Sequence, residues 1–508
     1  MNAREFHDLT AHTPYSVRSS GHTLDWDIKP FPFKVYTDVP AVELPRTFDP
    51  VDTDTLIAIA AARDGNAELD LARLAAALYL SAGVTRKKVY AQGVEVLFRA
   101  AASTGALYQT EVYVAAGGVR GLAPGLYHFC PGDFTLRRLR DVDVRGPLAH
   151  AALDDNLRGR AAVLILTAIY WRNTWKYQAR GFRHLFWDAG TMLANVLAAG
   201  NAISLAPFLV TGFVDDEVNH VLGVDGRHET TLELVALGPR GTRAPDPGPL
   251  PAISHATLPL SSAEVDYPAL RAMVDTSKLA RPADLTAWRA SRTIATRPRG
   301  AGPMVPLPSP RTRAGRALSD TIQRRGSTRQ FSHDPITAAE LATALWAATR
   351  PVPADVPFGS VHLFVIVNAV GDVAPGAYVY RAGEHALEIV RHGAFRDRAA
   401  YLTLEQPLGG DAAATIFFMA PLDAMRERLG ERGYRLANLE AGLAGGRAYL
   451  AAYAQEFGAS GLTFYDQAVV EFFAPASEGM DAIFVTALGR SVRQPRASLI
   501  DRLSRRGK

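Results

Sequence analysis

The hydrophobic pattern of this chain changes period several times, and it does so twice in the same order. Glu111–Ala116 alternates as a half-buried strand and runs into a turn at Gly117–Gly118. Pro124 and Gly125 break the chain before a second strand, Leu126–Phe129. Ala161–Trp171 is continuously apolar, which suits a buried strand, with a buried helix the alternative that periodicity leaves open. Phe182–Ala199 places apolar residues at helical spacing on more than one face and predicts a buried helix. Thr230–Gly238 closes the first set as a strand. Val361–Asn368, Gly376–Ala382, Ala386–Arg391 and Ala414–Leu422 then predict strands, Arg435–Phe457 a long helix, and Asp481–Gly489 a last strand.

The second set repeats the first. Ala123–Tyr127 (APGLY) returns as Ala374–Tyr378 (APGAY), Arg180–Gly190 (RGFRHLFWDAG) as Arg432–Gly442 (RGYRLANLEAG), and Val235–Gly238 (VALG) as Thr486–Gly489 (TALG), at offsets of 251, 252 and 251. Three matches in order at one spacing mean duplication of a whole domain, far longer than the roughly 20–50-residue period of a solenoid. The chain therefore divides into residues 1–245, a first α+β domain with an N-terminal extension, and residues 313–508, a second α+β domain. A proline-rich linker, 246–312, runs over the surface between them, with one or two short helices within Ala263–Arg292.

At 508 residues, with 48% hydrophobic and 21% charged, the composition is that of a folded chain of two or more domains. A net charge of +4 and no long basic run give no case for nucleic acid, and Arg502, Arg505, Arg506 and Lys508 read as a solvated tail. The single cysteine, Cys130, excludes an internal disulfide and a multi-cysteine metal site, and reads as a buried structural thiol. The N-terminus lacks a signal-type apolar core, and the longest apolar run falls short of the roughly 18 residues that a membrane span needs. A cytoplasmic protein without membrane contact is the expectation.

Two segments carry candidate chemistry. Arg325, Ser327 and Arg329 stand at alternate positions and point the same way in an extended segment. Two arginine forks and a hydroxyl suit a phosphate with a polyol tail; by spacing alone a surface basic patch or phosphorylation site fits as well. Arg99–Tyr108 is a small-residue loop ahead of a strand, in which Ser103, Thr104 and Gly105 let backbone groups approach a flat ring; an ordinary tight loop is the other reading.

Together with the two Ala-Pro-Gly segments and the Arg-Gly-Phe/Tyr-Arg helix starts, these motifs resemble the nitroreductase superfamily, and most closely its SagB-type dehydrogenase branch, which includes the azoline oxidases of modified-peptide biosynthesis. The resemblance covers roughly residues 15–240 and 315–490 and includes the lead-in Leu24–Tyr36. It implies an α+β sandwich that pairs through helices and holds FMN between the two partners, here a pseudo-dimer within one chain. Arg325, Ser327 and Arg329 of the second copy would hold the phosphate and ribityl chain, while Arg99, Ser103, Thr104 and Gly105 of the first would face the ring. Gly461 and Leu462 match the position where a backbone N–H reaches flavin N5, and Arg490 a basic residue on the phosphate side. The reciprocal site lacks both pieces: the first copy reads AAARDGNAEL around residues 60–69, and the second reads RPVPADVPFGS at 350–360. One FMN per chain is the inference.

Lys176 and Tyr177 precede Arg180–Gly181 at the spacing of the catalytic Lys-Tyr pair of azoline oxidases, whereas the second copy has Arg428 and Leu429 there; spacing alone favours two solvent-facing polar residues at a helix start, and the catalytic reading is what the resemblance implies. The resemblance implies an FMN-dependent oxidoreductase that dehydrogenates a modified peptide or small heterocyclic intermediate, with Lys176 as base, Tyr177 as proton relay and dioxygen reoxidising the flavin. No leader-docking domain is evident, so a peptide substrate needs a separate recognition protein. An NAD(P)H-dependent nitro or quinone reductase is the first alternative, and a degenerate flavin fold serving as scaffold in a biosynthetic complex is the second. The chain is a monomer with an internal pseudo-dimer, or a homodimer.

Overall fold

The computed structural model describes residues 1–60, 65, 67–89, 95–246, 248–290, 297–300 and 302–492. The basic tail and most of the stretch 60–66 lie outside the described residues.

Each copy is an antiparallel seven-stranded sheet with helices. In the first, β1 is Ala41–Glu43; β2 (Val84–Val89) and β3 (Glu95–Arg99) form a separate hairpin; β4 is Thr110–Ala116, β5 Gly125–Cys130, β6 Thr135–Arg140, β7 Arg160–Ile169, β8 Phe208–Val210 and β9 Glu229–Arg240. In the second, β10 is Met304–Pro306, β11 His362–Val367, β12 Gly376–Arg381, β13 Ala386–His392, β14 Ala414–Ala420, β15 Gly458–Gly461 and β16 Asp481–Gly489. The orders are β1-β6-β5-β4-β7-β9-β8 and β10-β13-β12-β11-β14-β16-β15, one topology used twice. The fold is α+β, two fused domains forming an internal pseudo-dimer.

The continuous apolar run Ala161–Trp171 divides. It is strand as far as Ile169, where its backbone pairs with β4 and β9, and helix from Tyr170 to Tyr177. The segment 246–312 holds helices Pro268–Thr276 and Pro282–Ala290, and its β10 joins the second sheet as β1 joins the first. Cys130 is buried, and burial pushes its thiol up to about 11.

The copies meet through two long buried helices, Gly181–Ala202 and Arg432–Ala454. Gly190 and Gly442, counterparts in the repeat, stand where a Cβ would run into the opposite helix's backbone, so glycine at both positions sets the close approach. Trp187 donates its indole N–H to Asn438 across this contact (2.7 Å).

Reciprocal ion clusters flank the helix pair. Arg180 and Arg183 hold Asp466 at 3.0 and 2.5 Å, and Arg432 and Arg435 hold Asp215 at 2.6 and 2.6 Å, all of them buried. Each cluster is closed by an N-terminal helix. Thr10 and His7 accept from Arg183 as Ser277 and Val274 accept from Arg435, and the His12 and Leu279 N–H groups cap Asp466 and Asp215. The duplicated unit thus reaches back to the first helix of the chain.

Candidate functional site

The small-residue loop is held by a side chain that no motif singled out. Asp188, buried on the first long helix, accepts from the Ser103 hydroxyl (2.5 Å), the Thr104 N–H (2.9 Å) and hydroxyl (2.7 Å), and the Gln109 amide (2.7 Å). Burial raises its pKa to about 6, against the lowering effect of these donors. Glu440, its repeat counterpart, receives the N–H groups of Gly359, Ser360 and Val361, and burial pushes it to about 7. A carboxylate one step before the Ala-Gly pair in both repeated helices was the sequence signal available for it.

The two distant motifs meet. Arg325 donates from Nε to the Ala100 carbonyl (2.8 Å) and from Nη2 to the Arg99 carbonyl (3.0 Å), so its guanidinium ties the second copy to the root of the first copy's loop. Ser327 stands 3.4 Å from the Tyr449 hydroxyl, and Arg329 projects outward, exposed. The Arg99 side chain faces away from this join: it donates to the Pro32 carbonyl (2.6 Å) and stacks over Phe33 and Tyr108.

Lys176 and Tyr177, at the end of the helix Tyr170–Tyr177, lie at the same place. Gly105 has φ +64°, and a Cβ there would stand 2.9 Å from the Tyr177 hydroxyl, so glycine both permits the turn and admits the ring. Burial, then the Asp188 charge, pushes the Tyr177 phenol up. Desolvation, then the positive charge of Arg329, lowers the Lys176 ammonium. Its Nζ stands 5.3 Å from the Tyr177 ring centre. Behind Tyr177 lies His184, whose burial keeps it neutral and whose Nδ1 faces Asn173. The N-terminal lead-in straps this helix from outside, with Trp175 donating to Asp25 and Arg172 to Phe31.

The remaining predicted residues are already engaged. The Gly461 N–H donates to the Tyr449 hydroxyl and the Leu462 N–H to the Val485 carbonyl (3.3 Å). Arg490 donates from Nη2 to both oxygens of Glu340, each at 2.8 Å. Tyr449, buried on the second long helix, links Ser327 and Gly461; nothing in its sequence context marks it.

The donor set fits a phosphorylated, polyol-bearing planar group. Ser327 and Arg329 offer a hydroxyl and a guanidinium on one side, where Nε and Nη2 of Arg325 are given to the Ala100 and Arg99 carbonyls, and the loop held by Asp188 offers backbone at close range on the other. For Gly461 to serve such a group, its hydrogen bond to Tyr449 has to be exchanged.

Residues 322–490 match the family described as "Nitroreductase family". A protein of Methanocaldococcus jannaschii that bears a nitroreductase name is 30% identical over 203 residues, which is 40% of this chain and 97% of the relative. A crystal structure from Anabaena variabilis, also bearing a nitroreductase name, is 27% identical with a TM-score of 0.76 and covers 96% of this chain and 99% of its own. The fused two-domain arrangement therefore occurs whole in a second protein.

Proposed function

The chain belongs to the nitroreductase family, and on that premise we propose that it is an FMN-dependent dehydrogenase of the SagB type, acting on a modified peptide or small heterocyclic intermediate of the azoline-to-azole kind. The observation that carries this reading is the meeting of Arg325 and Arg329 from one copy with Ser103, Thr104, Gly105, Lys176 and Tyr177 from the other. Bound FMN would supply a two-electron acceptor.

Arg325, Ser327 and Arg329 would hold the phosphate and ribityl end, Arg325 by exchanging its bonds to the Ala100 and Arg99 carbonyls, and Ser103, Thr104 and Gly105 would line the ring. Lys176 Nζ takes the proton from the carbon undergoing oxidation. A lowered pKa raises the share of neutral amine available for this near neutral pH. Tyr177 stays a protonated phenol across that range and can donate or relay at its Oη. The strap of Trp175 and Arg172 onto Asp25 and Phe31 fixes the helix that carries both groups.

The protein reconstituted with FMN is expected to bleach its flavin absorbance on addition of an azoline substrate without NAD(P)H. Lys176→Ala should keep the flavin and lose the bleaching. Bleaching by NADPH alone would favour a nitro or quinone reductase, and unchanged turnover in Lys176→Ala would remove the catalytic assignment.

A further inference from the structure

The pseudo-dimer has a second position related to the first by the repeat, and the chain fills it. The counterpart of Gly461 is identified by sheet register. Gly461 pairs with Thr486 on β16, and Leu209 pairs with Val235 on β9, the first residues of the repeated TALG and VALG. At the first site the Gly461 N–H meets a side chain, the Tyr449 hydroxyl. At the second site the Leu209 N–H donates to the Pro353 carbonyl (2.8 Å), and the Leu209 carbonyl accepts from the Asp355 N–H (3.0 Å), so Ala354 lies against β8 as a parallel bridge.

Asp355 then takes the next donors along the same edge. Its Oδ1 accepts from the Thr211 N–H and hydroxyl, both at 2.8 Å, and its Oδ2 accepts from the Gly212 N–H at 3.0 Å. Arg289, from the helix Pro282–Ala290, neutralises the carboxylate at 2.9 Å. Leu285 and Trp288 of that helix crowd Gly212 from outside.

The sealing segment belongs to the loop before β11, the repeat counterpart of the small-residue loop before β4. Each loop is held at its base by a carboxylate of the long helix, Asp188 or Glu440. In the first copy the loop receives the Arg325 fork at its root. In the second copy a proline-bounded stretch carries it across to hydrogen-bond with the strand.

We infer that this chain holds a single flavin, because residues 353–355 occupy the ring-edge donors of the second position, with Asp355 as the anion that takes the place of a cofactor. This rests on the flavin reading proposed above. Titration of apoprotein with FMN, followed by quenching of flavin fluorescence, is expected to saturate at one equivalent per chain, and Arg325→Ala should abolish that equivalent. Two equivalents in the unmodified chain, or one retained in Arg325→Ala, would overturn the inference. No binding by the unmodified chain would instead sink the flavin reading.

The seal has a readout of its own by amide hydrogen exchange. Asp355→Ala should speed exchange at Thr211 and Gly212 by about tenfold or more, because two hydrogen bonds to a charged acceptor are lost. Unchanged exchange at both amides would show that Asp355 does not close the position.

Discussion

Asp188→Asn tests how the loop of the composite site is held. The carboxylate is 5% exposed and receives its donors from Ser103, Thr104 and Gln109, yet burial still raises its pKa to about 6. An ordinary aspartate titrates near 3.9, so the shift of about two units corresponds to about 3 kcal/mol. The sign follows from linkage: the folded chain binds this proton more tightly than the unfolded chain. Stability therefore falls as pH rises from about 4 through about 6, and the full penalty is present above that window. Asp188→Asn keeps the shape and cannot ionise. Thermal midpoints of the two proteins, measured from pH 4 to 7.5, should diverge with rising pH, the unmodified chain losing a few degrees relative to the variant. FMN affinity should move the other way, because the new amide turns N–H groups toward the donors of Thr104. A midpoint difference independent of pH would refute the claim that a strained buried charge holds the loop.

Glu440→Gln should behave alike at the second copy, with its window extending up to about 7. Gly105→Ala forces a left-handed φ on a residue with a Cβ, at about 1–2 kcal/mol, and pushes on the Tyr177 hydroxyl; steady-state turnover should drop roughly tenfold with the flavin retained. Arg329→Gln removes a charge that lowers the Lys176 ammonium, so Lys176 should titrate higher. The rising limb of the rate–pH profile of the FMN-saturated protein should move to higher pH, and an unmoved limb would exclude Lys176 as the group that titrates. In Asp466, burial alone would raise the carboxyl, but Arg180 and Arg183 outweigh it and hold it well below the usual carboxylate range. Its contribution is thus present above the ordinary carboxylate pKa and lost as pH falls through the folded value. Asp466→Asn should destabilise by about 3–5 kcal/mol, read as a lowered thermal midpoint, and Asp215→Asn at the mirror cluster should match it.

Much of the fold was legible because β-period alternation and continuous apolar runs report burial directly. Glu111–Ala116, His362–Val367, Ala414–Ala420 and Asp481–Gly489 are strands for that reason. The short strands β1 and β10 escaped notice, since three residues carry no period, and so did their place at the sheet edge. The break at Ile169 inside an unbroken apolar run was equally hidden, because a buried helix and a buried strand share a composition.

For the site, the residue types and their spacing marked Arg325, Ser327, Arg329 and the Arg99–Tyr108 loop, the repeat offset fixed which copy lacks what, and the resemblance to the family added the Lys176–Tyr177 pair. Which groups face one another was decided only in three dimensions. Arg325 spends its fork on two carbonyls 225 and 226 positions away, Arg490 is taken by Glu340, and Gly461 by Tyr449. Tyr449 and Asp355 owe their roles to partners supplied by other segments, which leave no trace in the neighbouring sequence, and for Asp188 only the repeated carboxylate before Ala-Gly hints at one. Local chemistry is written in the chain itself, whereas the partner that satisfies a buried polar group is set by packing.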